Sequence, residues 1–270
     1  LGACLSPFMV GLLAARPDGY RITYVVLAVF AFIAGIRMFF LGSSPMRNLR
    51  NKAMKQPEKG KGCSGPAVSE ARNRVSKLLI FSASFFLFFY VSTEISFATW
   101  FPTYAVTLGL LDEGGAALTS SLFWFSFTAG RFISIFLALK VRPSLVIPVG
   151  IAGSIIAVSL QLLPAAPLSL VYVSVALLGL CLSPLWAGGF NYAGSRIALT
   201  AGLSSYILLG DSLGATILPS ITGKLIEWCG ARAMIYLVVV SLTVCFWAFL
   251  LMRFSIHRSK RIIMSEEIKA

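Results

Sequence analysis

Apolar residues along this chain fall in long runs, not in stripes at helix or strand spacing. Seven runs, near 22–41, 78–109, 117–139, 144–163, 168–190, 199–221 and 233–253, approach or exceed the roughly 20 residues an α-helix needs to cross a bilayer. Helices apolar on every face belong inside lipid or protein. The pattern therefore predicts an all-α membrane protein. Leu1 to Ala14 is apolar too but too short to span. With no initiator Met ahead of Leu1, it reads as the tail of a helix, and the chain is expected to be a fragment of a longer protein.

The first two runs are separated by "SSPMRNLRNKAMKQPEKGKGCSGPAVSEARNRVSK", rich in Lys, Arg, Pro and Gly. Apart from a possible short surface helix, it has no apolar repeat at helix spacing and reads as a mostly disordered linker. The predicted organisation is a partial span and one full span over 1–41, a basic linker at 42–77, six spans over 78–253 and a basic tail at 254–270. Six spans divide into two triples, about 78–163 and 168–253, as inverted three-span repeats do.

Composition agrees: 57% of residues are hydrophobic and 12% charged, against about 25% charged in an average soluble domain. Mean hydropathy is +0.85. The net charge of +13 raises the question of nucleic acid, but the basic clusters lack the interleaved aromatics of a single-strand binder. Their positions follow a membrane rule instead. Nine Lys/Arg lie in 42–77 and five in 253–270, whereas the loop "LDEGG" on the other side is purely acidic. The bias places linker and C-terminus in the cytoplasm, with the plasma membrane as the default location.

Five cysteines are scattered without a C-x-x-C pair, and most sit in or beside apolar runs as small core residues. The single His257 lies in the basic tail. No H-E-x-x-H, G-x-S-x-G or phosphate-binding Gly-Lys-Ser/Thr loop occurs, so enzyme chemistry, a metal centre and an organic cofactor are not expected.

Three charges break the apolar rule, and each costs at least ~2.5 kcal/mol at bilayer depth on insertion scales. Glu94 shares a helical face with Tyr90, Phe97 and Phe101. A carboxylate among rings suits a polyhydroxylated solute, and equally a coupling proton or sodium ion. Its bland alternative is a Glu hydrogen-bonded to a neighbouring helix for packing alone. Asp211, beside Gly210, Gly214 and Ala215, is either satisfied across a tight helix contact or a second coupling or gating carboxylate. Arg131 either snorkels to the inner interface or joins an ion pair that opens and closes. Trp124 and Trp186 are candidate cavity walls, with ordinary packing as the alternative. Trp186 stands on one face with Gly179, Ser183 and Phe190, in a span loosened by Pro184 and its glycines.

The order of spans around a long basic linker resembles the major facilitator superfamily, from the tail of its fifth span to its twelfth. "FFLFFYVSTEISFATWFPTYA", "SSLFWFSFTAGRFISIFLAL" and "SSYILLGDSLGATILPSITGKL" are similar to the seventh, eighth and eleventh spans of its fucose permease-like branch. That branch includes the sodium-dependent glucose transporter-like proteins. The resemblance implies the end of an N-terminal half plus a complete six-helix C-terminal half, with solute held between halves that rock. Glu94, Trp124, Arg131 and the Gly210–Gly214 stretch match that pattern, while Asp211 matches no family acid. The expected function is secondary transport of a hexose-like solute driven by sodium or protons. The alternatives are another solute, such as an organic anion, or a membrane protein that senses without transporting. The first four spans are absent, so this piece alone is not expected to transport.

Overall fold

The computed structural model describes residues 66–163, 167–195 and 201–267, together with helical positions 25, 26, 28, 29, 32, 33 and 36. The partial span, most of the 22–41 run and the linker as far as 65 lie outside the described residues. Seven α-helices follow in order: α1 (Pro66–Thr107), α2 (Glu113–Lys140), α3 (Pro143–Ser159), α4 (Leu168–Leu182), α5 (Leu185–Gly194), α6 (Ala201–Cys229) and α7 (Ala233–Glu267).

Their ends follow local chemistry. Proline opens α1 and α3, where its missing N–H would be unpaired anyway. Asp112 caps α2 by accepting a hydrogen bond from Gly115 N at 3.1 Å, with Glu113 in the first turn and Lys140 in the last to complement the helix dipole. A 3-10 turn, Leu160–Leu162, extends α3. The 168–190 run is not one straight helix but α4 and α5, parted at Ser183 and Pro184 where the proline ring cannot continue the ladder.

Among the described residues five spans are long and apolar enough to cross a membrane: Lys77–Thr107, Glu113–Lys140, Pro143–Leu162, Leu168–Gly194 and Ala233–Ile256. From residue 201 the 199–221 run lies on α6, 29 residues long, whose described part is not among these five. Two boundaries also move. Helix α1 begins at Pro66, inside the stretch read as disordered linker, and α7 continues through the basic tail to Glu267. Neither stretch is apolar, so hydropathy saw loops; each helix simply propagates, adding one backbone bond per residue once nucleated.

Helix α1 is the axis of the bundle, packing chiefly on α6 and α7, while α2 packs on α4. The most apolar window of α1 is 61% buried, against 22% for α2. Close approach explains the α1–α6 seam: a Cβ at Gly210 would overlap the backbone oxygen of Ser84, and one at Gly214 that of Phe88. Across the seam Ser92 Oγ donates to Gly214 O at 3.0 Å, and Trp100 Nε1 donates to Pro219 O at 2.8 Å. On the other flank Thr93 Oγ1 donates to Ser241 Oγ at 2.9 Å, joining α1 to α7. These polar groups thus find partners in a medium that offers little water.

Candidate functional site

Glu94 lies in the middle of the span on α1, and its side chain is buried at 9% exposure. Tyr90, one turn earlier, is fully buried, and its Oη sits beside that carboxylate without reaching full hydrogen-bond geometry. Arg131 from α2 and Asp211 from α6 are charges on neighbouring helices that bear on Glu94 only at longer range, each making its own direct contact with a ring instead. Helical spacing cannot reveal this arrangement, because the three residues come from three different helices.

Those two charges are held by rings. Arg131 is exposed, and its Cζ stands 4.8 Å from the centroid of the Phe127 ring, a cation–π distance. Asp211 Oδ1 accepts a hydrogen bond from Trp186 Nε1 at 2.9 Å. Trp186 stacks on Phe190 with centroids 5.6 Å apart and planes 5° apart. The break before α5 thereby presents a rigid aromatic pair to α6. Asp211 thus has a specific partner, on α5 and not across the tight α1–α6 seam.

A cleft of about 580 Å³ opens between the C-terminal part of α1 and the N-terminal part of α2. Its lining includes Trp124, Ser120, Glu113, Thr103, Thr107 and Ala98. Ala98 is one turn beyond Glu94, so the cleft ends close to that carboxylate. The volume falls within the usual range for small-molecule sites. Trp124 is half-buried and set edge-on to Phe123 and Phe127, with centroids 5.4 and 5.7 Å away, which fixes the indole as a wall of this cleft.

Other candidates fall elsewhere. Phe97 is fully buried, stacked on Phe101 at 5.0 Å and tilted on Phe123 at 5.3 Å, and belongs to the core. Sharing a helical face with Glu94 did not give it the same environment, because α1 is covered on most sides. Tyr90, Glu94, Phe97 and Trp186 are not among the residues lining the cleft. Glu113, Thr103 and Thr107 are not among the residues singled out from the sequence; Glu113 falls in the acidic stretch read as a loop. Thr103, directly after Pro102, and Thr107, one turn further, were the available signal. Among the described residues no group of three or more His, Cys, Asp or Glu side chains could hold a metal ion.

Residues 1–198 match the Major Facilitator Superfamily. The chain belongs to that superfamily. Its apolar helices and this membership make it an integral, multi-pass membrane protein of a transporter family and not an enzyme. Among curated superfamily relatives, sodium-dependent glucose transporter 1A of Mus musculus is 24% identical over 78% of this chain and 48% of its own length. Sodium-dependent glucose transporter 1 of Danio rerio is 26% identical over 58% of this chain and 26% of its own length. Major facilitator superfamily domain-containing protein 4A of Mus musculus is 24% identical over 61% of this chain and 33% of its own length. The chain thus spans about half the length, or less, of these superfamily relatives. No solved structure gives a significant match.

Proposed function

We propose that the protein to which this chain belongs is a secondary active transporter that moves a hexose-like solute by alternating access, coupled to sodium or protons. The observation that carries the reading is Glu94 itself: a mid-span carboxylate buried at 9% exposure, one helical turn from Ala98 at the end of a cleft of about 580 Å³. Such a group changes its preferred state whenever a proton, a cation or a hydroxylated solute arrives or leaves. The neighbouring cleft has an indole wall for the apolar face of a sugar and hydroxyl and carboxylate groups for its polar edge. Two of the relatives carry "sodium-dependent glucose transporter" in their names, which supports the same solute and ion. The distribution of Lys and Arg orients the linker and the C-terminus toward the cytoplasm.

The test is uptake of labelled hexose by proteoliposomes holding the full-length protein, under an imposed sodium or proton gradient. Accumulation that collapses with one of the gradients, and is competed by unlabelled neutral hexoses, is expected. Uptake indifferent to hexoses but competed by organic anions would replace the solute assignment.

A further inference from the structure

Two helices of this bundle outrun the membrane at the same end. Helix α1 has 42 residues and α7 has 35, roughly 63 and 52 Å at 1.5 Å per residue, against a hydrocarbon core of about 30 Å. They run antiparallel in a register fixed by three contacts. Thr93 meets Ser241, Cys245 Sγ donates to Phe86 O at 3.8 Å, and the Phe86 and Phe249 rings lie 6.4 Å apart. Extending that register toward the start of α1 brings Leu79 level with Ile256, and both are buried, at 3% and 4% exposure. Both helices are therefore still buried in the bundle where their apolar parts end.

Beyond that level both backbones continue as helix, and both turn basic. Helix α1 carries Arg72, Arg74 and Lys77; α7 carries Arg253, Arg258, Lys260 and Arg261. Lys77 and Arg253, the two that border the apolar part, are exposed. The acids on these extensions are Glu70, Glu266 and Glu267, further from the apolar part than the basic residues on each helix. Seven basic residues thus fall, by position along the two helix backbones, within a few turns of the end of the apolar part. Like charges on neighbouring turns repel, and a helix leaving the bilayer passes through the lipid headgroup region there.

From this juxtaposition we infer that the paired extensions of α1 and α7 form a binding site for anionic phospholipid headgroups, preferentially a polyvalent one such as a phosphorylated inositol lipid. A headgroup with several phosphates can engage both helices at once, through charge attraction that Arg and Lys supply alike. The site would tie α1, the helix that carries Glu94, to the composition of one leaflet. That the leaflet is the cytoplasmic one rests on the orientation proposed above.

The experiment uses full-length protein in neutral detergent, titrated with short-chain phosphatidylinositol bisphosphate, phosphatidylserine and phosphatidylcholine, and with soluble inositol trisphosphate. Binding should follow the order bisphosphate lipid, then phosphatidylserine, with no measurable binding of phosphatidylcholine, and should weaken with salt. Replacing Arg72, Arg74 and Lys77 with Gln, or Arg258, Lys260 and Arg261 with Gln, should each weaken the bisphosphate lipid on the order of 100-fold. The charge-retaining R258K/R261K variant keeps most of the binding, and it decides the matter if a neutral triple fails to elute as a single species. Unchanged affinity in both triples, equal binding of phosphatidylcholine, or loss of binding in R258K/R261K as complete as in the triple would overturn the site. Inositol trisphosphate binding as tightly as the lipid would make the occupant a soluble phosphate and overturn the lipid assignment. A C-terminal tag reached only from outside sealed cells would overturn the orientation, while the detergent titration still decides the site.

Discussion

The Trp186 indole donates its Nε1 hydrogen to Asp211 Oδ1 at 2.9 Å, joining the broken span α4–α5 to α6. A hydrogen bond of this kind contributes about 0.5–1.5 kcal/mol net. It fixes the Asp211 carboxyl against the aromatic pair on α5. Trp186→Phe keeps a ring to stack on Phe190 but removes the donor. In the full-length protein this substitution should lower the maximal uptake rate about tenfold, the equivalent of ~1.4 kcal/mol, with little change in melting temperature. Wild-type uptake kinetics in Trp186→Phe would show that the bond has no part in transport.

The α1–α6 seam tolerates no Cβ where the backbones touch. Gly210→Ala and Gly214→Ala should each destabilise by about 1–3 kcal/mol, the usual cost of overpacking, read as a fall in melting temperature in detergent. Gly202 lies on the same helix with nothing within 4 Å of the position its Cβ would take. Gly202→Ala should leave the melting temperature unchanged or slightly raised, since alanine is the better helix former.

Phe97 and Trp124 separate core from cleft. Phe97→Ala removes a fully buried ring from an aromatic stack and should cost about 3–5 kcal/mol of stability. Trp124→Ala should leave the fold largely intact and raise KM for solute several-fold, because the indole is a wall of the cleft. Parallel melting and uptake curves on the two variants distinguish them. A selective KM effect from Phe97→Ala would contradict its placement.

Arg131 and Glu94 should be energetically coupled. A double-mutant cycle with Arg131→Gln and Glu94→Gln, read by melting temperature, should give a coupling of about 0.5 kcal/mol, the lower end of the range for interacting pairs. The low figure follows from the exposure of Arg131, which lets solvent screen the interaction. Strict additivity would mean that the two charges do not act on one another.

Much of this was legible in the sequence because lipid imposes a simple rule. Continuous apolar runs marked the spans, and of the three residues that break the rule, Glu94 is buried, Asp211 is bonded to Trp186 and Arg131 stands over Phe127. What stayed hidden depended on which helix lies in the middle. Phe97 shares a face with Glu94 on paper, yet α1 is buried on most sides, and the ring packs into the core. The start of α1 at Pro66 was invisible to hydropathy, since a helix leaving the membrane keeps its backbone bonds while its side chains turn polar. The Trp100 clamp on Pro219 O and the cleft beside Glu113 arise from contacts between helices, which a one-dimensional reading does not contain.

The most direct measurement compares gradient-driven accumulation with equilibrium exchange of labelled hexose in proteoliposomes of the full-length protein carrying Glu94→Gln. If Glu94 is the group through which the ion gradient drives the solute, accumulation should be lost while exchange persists. Concentrative uptake by Glu94→Gln at the wild-type level would contradict the proposal at its centre.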